Sequence, residues 1–276
     1  MDKLTVTGLV LREIPKGDND KLLTILTSEH GKMLVTGKGV RSLKNSNMAS
    51  SHQFCFATYV LTKNRSGYYY ISESDLHESF FALRGDLYKI ALAAYVCDVA
   101  DEMSTEENAD VELLRLTLNT LYAISSGKRS LEQIKAGFEM RAAAVSGFMP
   151  DMSGCAVCGS DDEELYYLDI LEGELLCQEC VSQAAGREYR EYSGEWSRPI
   201  SVISPNVRDA VRFITSCEIQ RFLSFSLADD EMRELSAVSE KYLLHHLGRG
   251  FDTLDYYKEY GKLKENEQQR KDNQNS

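Results

Sequence analysis

Four cysteines in two pairs, Cys155-Ala-Val-Cys158 and Cys177-Gln-Glu-Cys180, give the pattern C-x2-C-x18-C-x2-C. Each C-x-x-C turn can aim two thiolates at one tetrahedral ion, and this spacing is that of a structural zinc site. The intervening LYYLDILEGELL reads as a strand pair that brings the two turns together. Four thiolates leave no position open for substrate, so the chemistry expected of Cys155, Cys158, Cys177 and Cys180 is binding of one structural zinc ion. Four free thiols or a redox pair are the alternatives, and the redox reading lacks the βαβ context in which such motifs work.

A second group of chemically suggestive residues lies in GKGVRSLKNS, from Gly37 to Ser46, which carries basic side chains and no acid. Glycines beside lysines raise the question of a nucleotide cradle. A P-loop needs G-x-x-x-x-G-K-[ST]; here Gly31 to Gly37 is one residue too long, and Gly39 stands where Ser or Thr should be. The dinucleotide fingerprint fails too, because Ser42 occupies the place of its third glycine. What remains is a glycine-kinked basic loop with Lys38, Arg41 and Lys44. Near it in sequence are Lys32, Lys63 and Arg65, and the aromatics Tyr59, Tyr68, Tyr69 and Tyr70. Cations that track phosphates, beside rings on which bases stack, are how small barrels hold single strands. In a strand Tyr69 points opposite to Tyr68 and Tyr70, so one set faces solvent; Tyr68 and Tyr70 are the stacking candidates. The competing account is a solvated loop with half of the tyrosines in a core.

Catalytic patterns are missing from the chain. His77-Glu78 lacks the second His of H-E-x-x-H, and neither a deaminase signature nor a G-x-S-x-G elbow occurs. His30, His52, His77, His245 and His246 are scattered and read as surface or helix-end residues. No catalytic residue is assigned and an enzyme is not expected.

The elements that would position these groups change character along the chain. Leu4–Ile14, LLTILT from Leu22, MLVTG from Met33, FCFATYVLTK from Phe54 and YYYIS from Tyr68 read as five short strands separated by polar turns, which predicts a small antiparallel barrel. Gly37–Gln53 is expected to be a long basic loop. From Leu76 a stripe of Leu76, Phe80, Leu83, Leu87, Ile90, Ala94 and Cys97 predicts a helix that Gly85 could split. Further helices are expected over Ala109–Ser125, from the capping-box sequence at Ser130 to Gly147, from Ser204-Pro205, and over Asp229–Leu247. The polar last sixteen residues read as disordered.

Bulk charge sharpens the division. Net charge is −12 over 276 residues, yet residues 1–72 hold ten Lys/Arg against five Asp/Glu, a net of +5, which leaves −17 on the rest. A basic N-terminal module on an acidic body follows. The opening MDKLTVTGLVLREIP lacks the apolar core of a signal peptide, and no run approaches the roughly 18 apolar residues of a membrane span. A cytoplasmic protein without membrane partners is expected, and seven cysteines in a reducing compartment point to metal rather than disulfides.

The stretch GLVLREIPKGDNDKLLTILTSEHGKMLVTGKGVRS resembles the start of RecO, the bacterial recombination mediator family. The likeness continues through FEMRAAAVSGFMPDMSGCAVCG and LEGELLCQEC and ends near YLLHHLGRGFDTLDYY, at about residue 257. That resemblance implies an α+β protein with a five-stranded OB-fold barrel over 1–78. A helical domain would follow over 79–150 and 185–260, with a four-cysteine zinc ribbon inserted at 151–184 and a disordered tail at 261–276. It implies DNA repair and homologous recombination, binding of single- and double-stranded DNA, strand annealing, and help to RecA in replacing single-strand binding protein, with RecR as partner and RecF as another. During repair the protein would sit at the nucleoid. The family's basic barrel surface falls on Lys38, Arg41 and Lys44. Its docking site for the acidic, apolar tail of single-strand binding protein has candidates in Arg115, Lys128, Arg129, Lys135 and Arg141. Two rivals stand beside this account: a zinc-stapled adaptor whose barrel takes an acidic peptide, and an RNA-binding factor. Salt-dependent oligonucleotide affinity and DNA-against-RNA competition separate them.

Overall fold

The structure is a computed structural model that describes residues 3–183 and 199–274, with side chains through residue 264. The chain forms two compact units, Met1–Leu131 together with Gly250–Ser276, and Glu132–Arg249.

In the first unit β1 (Lys3–Lys16), β2 (Asp20–Thr27), β3 (Gly31–Gly37), β4 (Phe56–Lys63) and β5 (Tyr69–Glu78) close a barrel in the order β1-β2-β3-β5-β4. All neighbours are antiparallel except β3 and β5, which pair in parallel through Val35↔Tyr69 and Thr36↔Tyr70. This is an OB-fold barrel, as expected. Alternation builds its core: Leu23 and Ile25, Met33 and Val35, then Ala57, Tyr59 and Leu61 point inward at every second position. A register shift between Val10 and Arg12 lets β1 bend from β4 onto β2. The other face of β1 and β2 is apolar as well, with Leu9, Leu11 and Leu26 fully buried. It is covered by α1 (Leu87–Met103) and α2 (Val111–Ser126), which pack on these strands.

Two local expectations change. Leu76 lies in β5, not in a helix, because β5 stays paired with β4 as far as Phe56↔Glu78. A 3-10 turn, Phe81–Gly85, follows, and α1 starts only where the Asp86 carboxylate accepts from the Tyr88 amide. The predicted stripe is only part of the buried face, with Leu83 and Cys97 buried but Leu87 exposed. Ala91, Leu92, Tyr95, Val96 and Cys97 are buried around most of the helix circumference, since barrel and helices surround it.

A last helix, Asp252–Gln274, completes this unit against α1, with Tyr257 stacked on Tyr88 at 4.6 Å and Lys264 paired with Asp86 at 2.9 Å. It occupies the segment from residue 261 for which composition predicts disorder.

The second unit holds α3 (Leu131–Val145), a four-stranded sheet, the helical residues 178–183 and, among the described residues, two longer helices further on. The strands β6 (Asp151–Cys155), β7 (Tyr166–Asp169), β8 (Glu174–Leu176) and β9 (Ile200–Ile203) are ordered β6-β8-β7-β9. β7 and β8 form the expected hairpin through Leu168↔Leu175; β9 is an addition that only its pairing with β7 defines. In α4 (Pro205–Ser216) Ser204 caps the Val207 amide ahead of Pro205, as its sequence predicts. α5 spans Asp229–Leu247, before left-handed Gly248; the last helix is α6. The expected boundary between residues 184 and 185 lies outside the described residues. Among the described residues no helix is long and apolar enough to cross a membrane.

Candidate nucleic-acid interface and metal centre

Three loops meet at one end of the barrel. The β3–β4 loop leaves Gly37 and is tied to the β1–β2 turn: the Gly39 amide donates to Asp20 Oδ1 (2.8 Å), the Arg41 amide to the Asn19 carbonyl (3.1 Å) and the Arg41 guanidinium to the Gly17 carbonyl (3.0 Å). The β4–β5 turn is shaped by Asn64, whose Oδ1 accepts from the Ser66 and Tyr68 amides, and by left-handed Gly67. It joins the same end because Asn64 donates to the Tyr70 hydroxyl and Lys38 Nζ lies 4.5 Å from the centre of the Tyr70 ring. Parallel pairing explains that contact. Thr36 stands beside Tyr70, and Lys38, two residues on, falls on the same face.

Of the sequence-derived candidates, Lys38, Arg41, Lys44 and Arg65 are exposed on these loops and Lys63 is exposed where β4 ends. Lys63 Nζ lies 5.0 Å from the Tyr69 ring. Tyr69 packs on the barrel core and Tyr59 is fully buried, donating to the Ser50 carbonyl. Tyr68, 66% exposed, and half-buried Tyr70 face outward, as the alternation predicts.

Lys32 does not belong with them. It sits at the other end of β3, six residues from Lys38 and so about 20 Å away along an extended strand. Its ammonium is engaged by the Asp101 carboxylate at 3.0 Å and the Asp101 carbonyl at 2.7 Å. Lys16, exposed at the base of the β1–β2 turn, is a cation that the sequence argument missed. Asp18 and Asp20 outnumber it in charge, and Asp20 also braces the loop by accepting from the Gly39 amide.

The four cysteines converge. Cys155 ends β6, Cys158 follows in a turn closed by left-handed Gly159, Cys177 comes directly after β8, and Cys180 lies within the helical residues 178–183. Their sulfurs lie within 4.8 Å of one another, with Cys158 and Cys177 at 3.7 Å. Thiolates about 2.3 Å from a tetrahedral ion stand about 3.8 Å apart, so the residues fit a metal. The Cys177 sulfur accepts from the Cys180 amide. Burial pushes the Cys155 thiol up, but amide donors from Cys158, Cys177 and Val157 outweigh it and bring it to about 6. Among the described residues this is the one group of three or more His, Cys, Asp or Glu whose ligand atoms converge.

The cations proposed for an acidic peptide tail divide. Arg115, Lys128 and Arg129 are exposed in the first unit. Lys135 and Arg141 are not available: Lys135 is held between Glu139 and Glu240, and the Arg141 guanidinium donates to the Ile214 and Thr215 carbonyls. Charge in a sequence does not reveal such burial.

Two family models match the chain, Recombination protein O N terminal over residues 1–80 and Recombination protein O C terminal over residues 84–194. Among the curated relatives, DNA repair protein RecO of Acetivibrio thermocellus is 29% identical over 264 residues, covering 96% of this chain and 100% of the relative. The protein of the same name from Alkaliphilus metalliredigens is 25% identical over 91% of this chain and 97% of its own length. That of Caldicellulosiruptor bescii is 30% identical over 66% of this chain and 74% of its own.

Proposed function

The chain belongs to the RecO family, and on that premise we propose that it is a non-enzymatic mediator of DNA repair and homologous recombination. It binds single- and double-stranded DNA, anneals complementary strands and, with RecR, assists loading of RecA on DNA coated with single-strand binding protein. The observation that carries this is the meeting of Lys38, Arg41, Lys44, Lys63 and Arg65 with outward-facing Tyr68 and Tyr70 on three mutually braced loops. The cations neutralise phosphates without reading sequence, and the rings offer stacking surfaces to bases. Placing two strands on one neutralised surface lowers their mutual repulsion, which is what annealing requires.

The division of labour follows the sequence boundaries. The barrel, residues 1–78, takes DNA; the helices of 79–150 and 185–260 take protein partners; the ribbon at 151–184 is a folding element around zinc held by Cys155, Cys158, Cys177 and Cys180. Arg115, Lys128 and Arg129 are the exposed cations for the acidic tail of single-strand binding protein, and RecF is a further partner. The protein works in the cytoplasm, at the nucleoid during repair.

The test is annealing. Complementary labelled oligonucleotides coated with single-strand binding protein are mixed with and without the protein, and duplex is followed by energy transfer. Accelerated duplex formation, lost when Lys38 and Arg41 become glutamate, supports the function; no acceleration by wild type overturns it.

A further inference from the structure

The basic loop carries one side chain that phosphate binding does not explain. Leu43 is 89% exposed, the most exposed large apolar side chain among the described residues. A single exposed leucine is ordinary on a protein surface. What sets this one apart is the construction beneath it. Val40, three residues earlier, is turned inward to 1% exposure, so close to Gly37 that a Cβ there would meet its methyls at 2.9 Å. Consecutive turns follow, with the Ser42 amide donating to the Gly39 carbonyl and the Asn45 amide to the Ser42 carbonyl, both at 3.0 Å. The Asn45 side chain closes the loop at its base, donating to the Lys38 carbonyl at 2.9 Å and accepting from the Asn47 amide at 2.8 Å. Leu43 is therefore held out at the apex of a braced loop, between Arg41 and Lys44.

We propose that Leu43 is a wedge that enters the base stack of bound DNA while Arg41 and Lys44 hold the phosphates on either side. The inference rests on the DNA-binding function proposed above and assigns it a part that cations cannot play. An apolar side chain placed between neighbouring bases replaces their mutual stacking with its own contact and splays the step. Bases opened in this way present their pairing edges to a second strand. The chemistry of the site selects nucleobases as the occupant, because the apolar tip is flanked by cations that fix a polyanion in register on both sides. An apolar pocket on a protein partner would take Leu43 without needing that spacing of charge.

The test uses the full-length protein and a single-stranded oligonucleotide carrying one 2-aminopurine, whose fluorescence rises when its neighbours unstack. Wild type is expected to raise the fluorescence on binding. Leu43→Ser keeps the cations, so the dependence of affinity on salt is expected to stay that of wild type. Affinity falls about tenfold, as loss of one buried leucine implies, and the fluorescence rise disappears. Leu43→Met, which is apolar and of similar length, retains the rise. If Leu43→Ser gives the wild-type fluorescence rise at saturation, or wild type binds with no rise at all, the wedge is refuted and the DNA-binding function stands. If wild type fails to bind the oligonucleotide at low salt, that function falls and the wedge with it.

Discussion

Replacing Lys135 by methionine keeps the length of the side chain and removes its charge, and the surroundings set the consequence. Lys135 is 3% exposed, its ammonium 3.0 Å from Glu139 and 2.9 Å from Glu240. Glu139 is fully buried and also accepts from the Ser239 hydroxyl at 2.8 Å. Burial disfavours the charged lysine, but the two carboxylates reverse this and hold it protonated above its usual range. Burial likewise pushes the Glu139 carboxyl up, and Lys135 and Ser239 only partly offset it. Lys135→Met takes the ammonium away from a buried carboxylate, and removing one partner of such a pair costs about 3–5 kcal/mol. The sign of the pH dependence follows. Without Lys135 the folded-state value of Glu139 rises further above its unfolded value of about 4.3, so the deficit grows as pH rises through the folded value and fades toward pH 4. Lys135→Met with Glu139→Gln should recover at least half of the loss, since no charge then remains on the buried partner. Urea unfolding followed by circular dichroism at pH 5 and pH 8 reads all of this through the midpoint. A Lys135→Met variant within about 1 kcal/mol of wild type at pH 8, or a double variant as unstable as the single one, would refute the reasoning.

Three further outcomes are expected. Wild type should carry one zinc equivalent on metal analysis, and Cys177→Ser should lose it and unfold at lower urea, while the salt dependence of DNA binding persists; no zinc in wild type, or full zinc content in the variant, contradicts the four-cysteine site. Gly31→Ala should lower stability by about 2–5 kcal/mol, because Gly31 has φ +62° and a Cβ would meet the Asn108 carbonyl oxygen at 2.2 Å; DNA binding by the folded fraction should be unaffected, Gly31 lying at the barrel end away from the basic loop. Burial raises the Asp86 carboxyl, but Lys264 and the Tyr88 and Lys89 amides together outweigh it and hold the group below the usual carboxylate range. A lowered value gives stability above the unfolded value that disappears as pH falls through the folded one. Asp86→Asn keeps the cap and loses this contribution, so its unfolding midpoint should lie below that of wild type at pH 7 and meet it in acid.

The sequence is most informative where chemistry dictates spacing. Two C-x-x-C pairs around a strand hairpin predict their own convergence, since each turn can aim two sulfurs at one ion and the hairpin brings the turns together. Period-two alternation likewise marks the barrel strands and sorts Tyr68 and Tyr70 from Tyr69. Errors arise where tertiary partners decide. The spacing of Leu76, Phe80 and Leu83 fits a helix, but pairing of β5 with β4 claims Leu76. Residues 261–274 look too polar to order, yet the helix begins upstream on Leu254 and Tyr257, buried in the first unit. Lys32, Lys135 and Arg141 count as free cations in a sequence, and only the fold supplies the Asp101, Glu139 and carbonyl partners that take them out of play. Leu43 is the converse, an apolar residue inside a basic run that draws notice only once its exposure is seen.

The central claim is that GKGVRSLKNS is a clamp for polynucleotide phosphates. Fluorescence anisotropy of a labelled single-stranded oligonucleotide, titrated at several salt concentrations, tests it when wild type is compared with Lys38→Glu, Arg41→Glu, Lys44→Glu. Each neutralised phosphate contributes about −0.7 to the slope of log affinity against log salt for single strands, so losing three contacts should flatten the slope by about 2. The account predicts tight, steeply salt-dependent binding by wild type and a folded variant that has lost most of both. A folded variant that binds as wild type does, with the same slope, would contradict it.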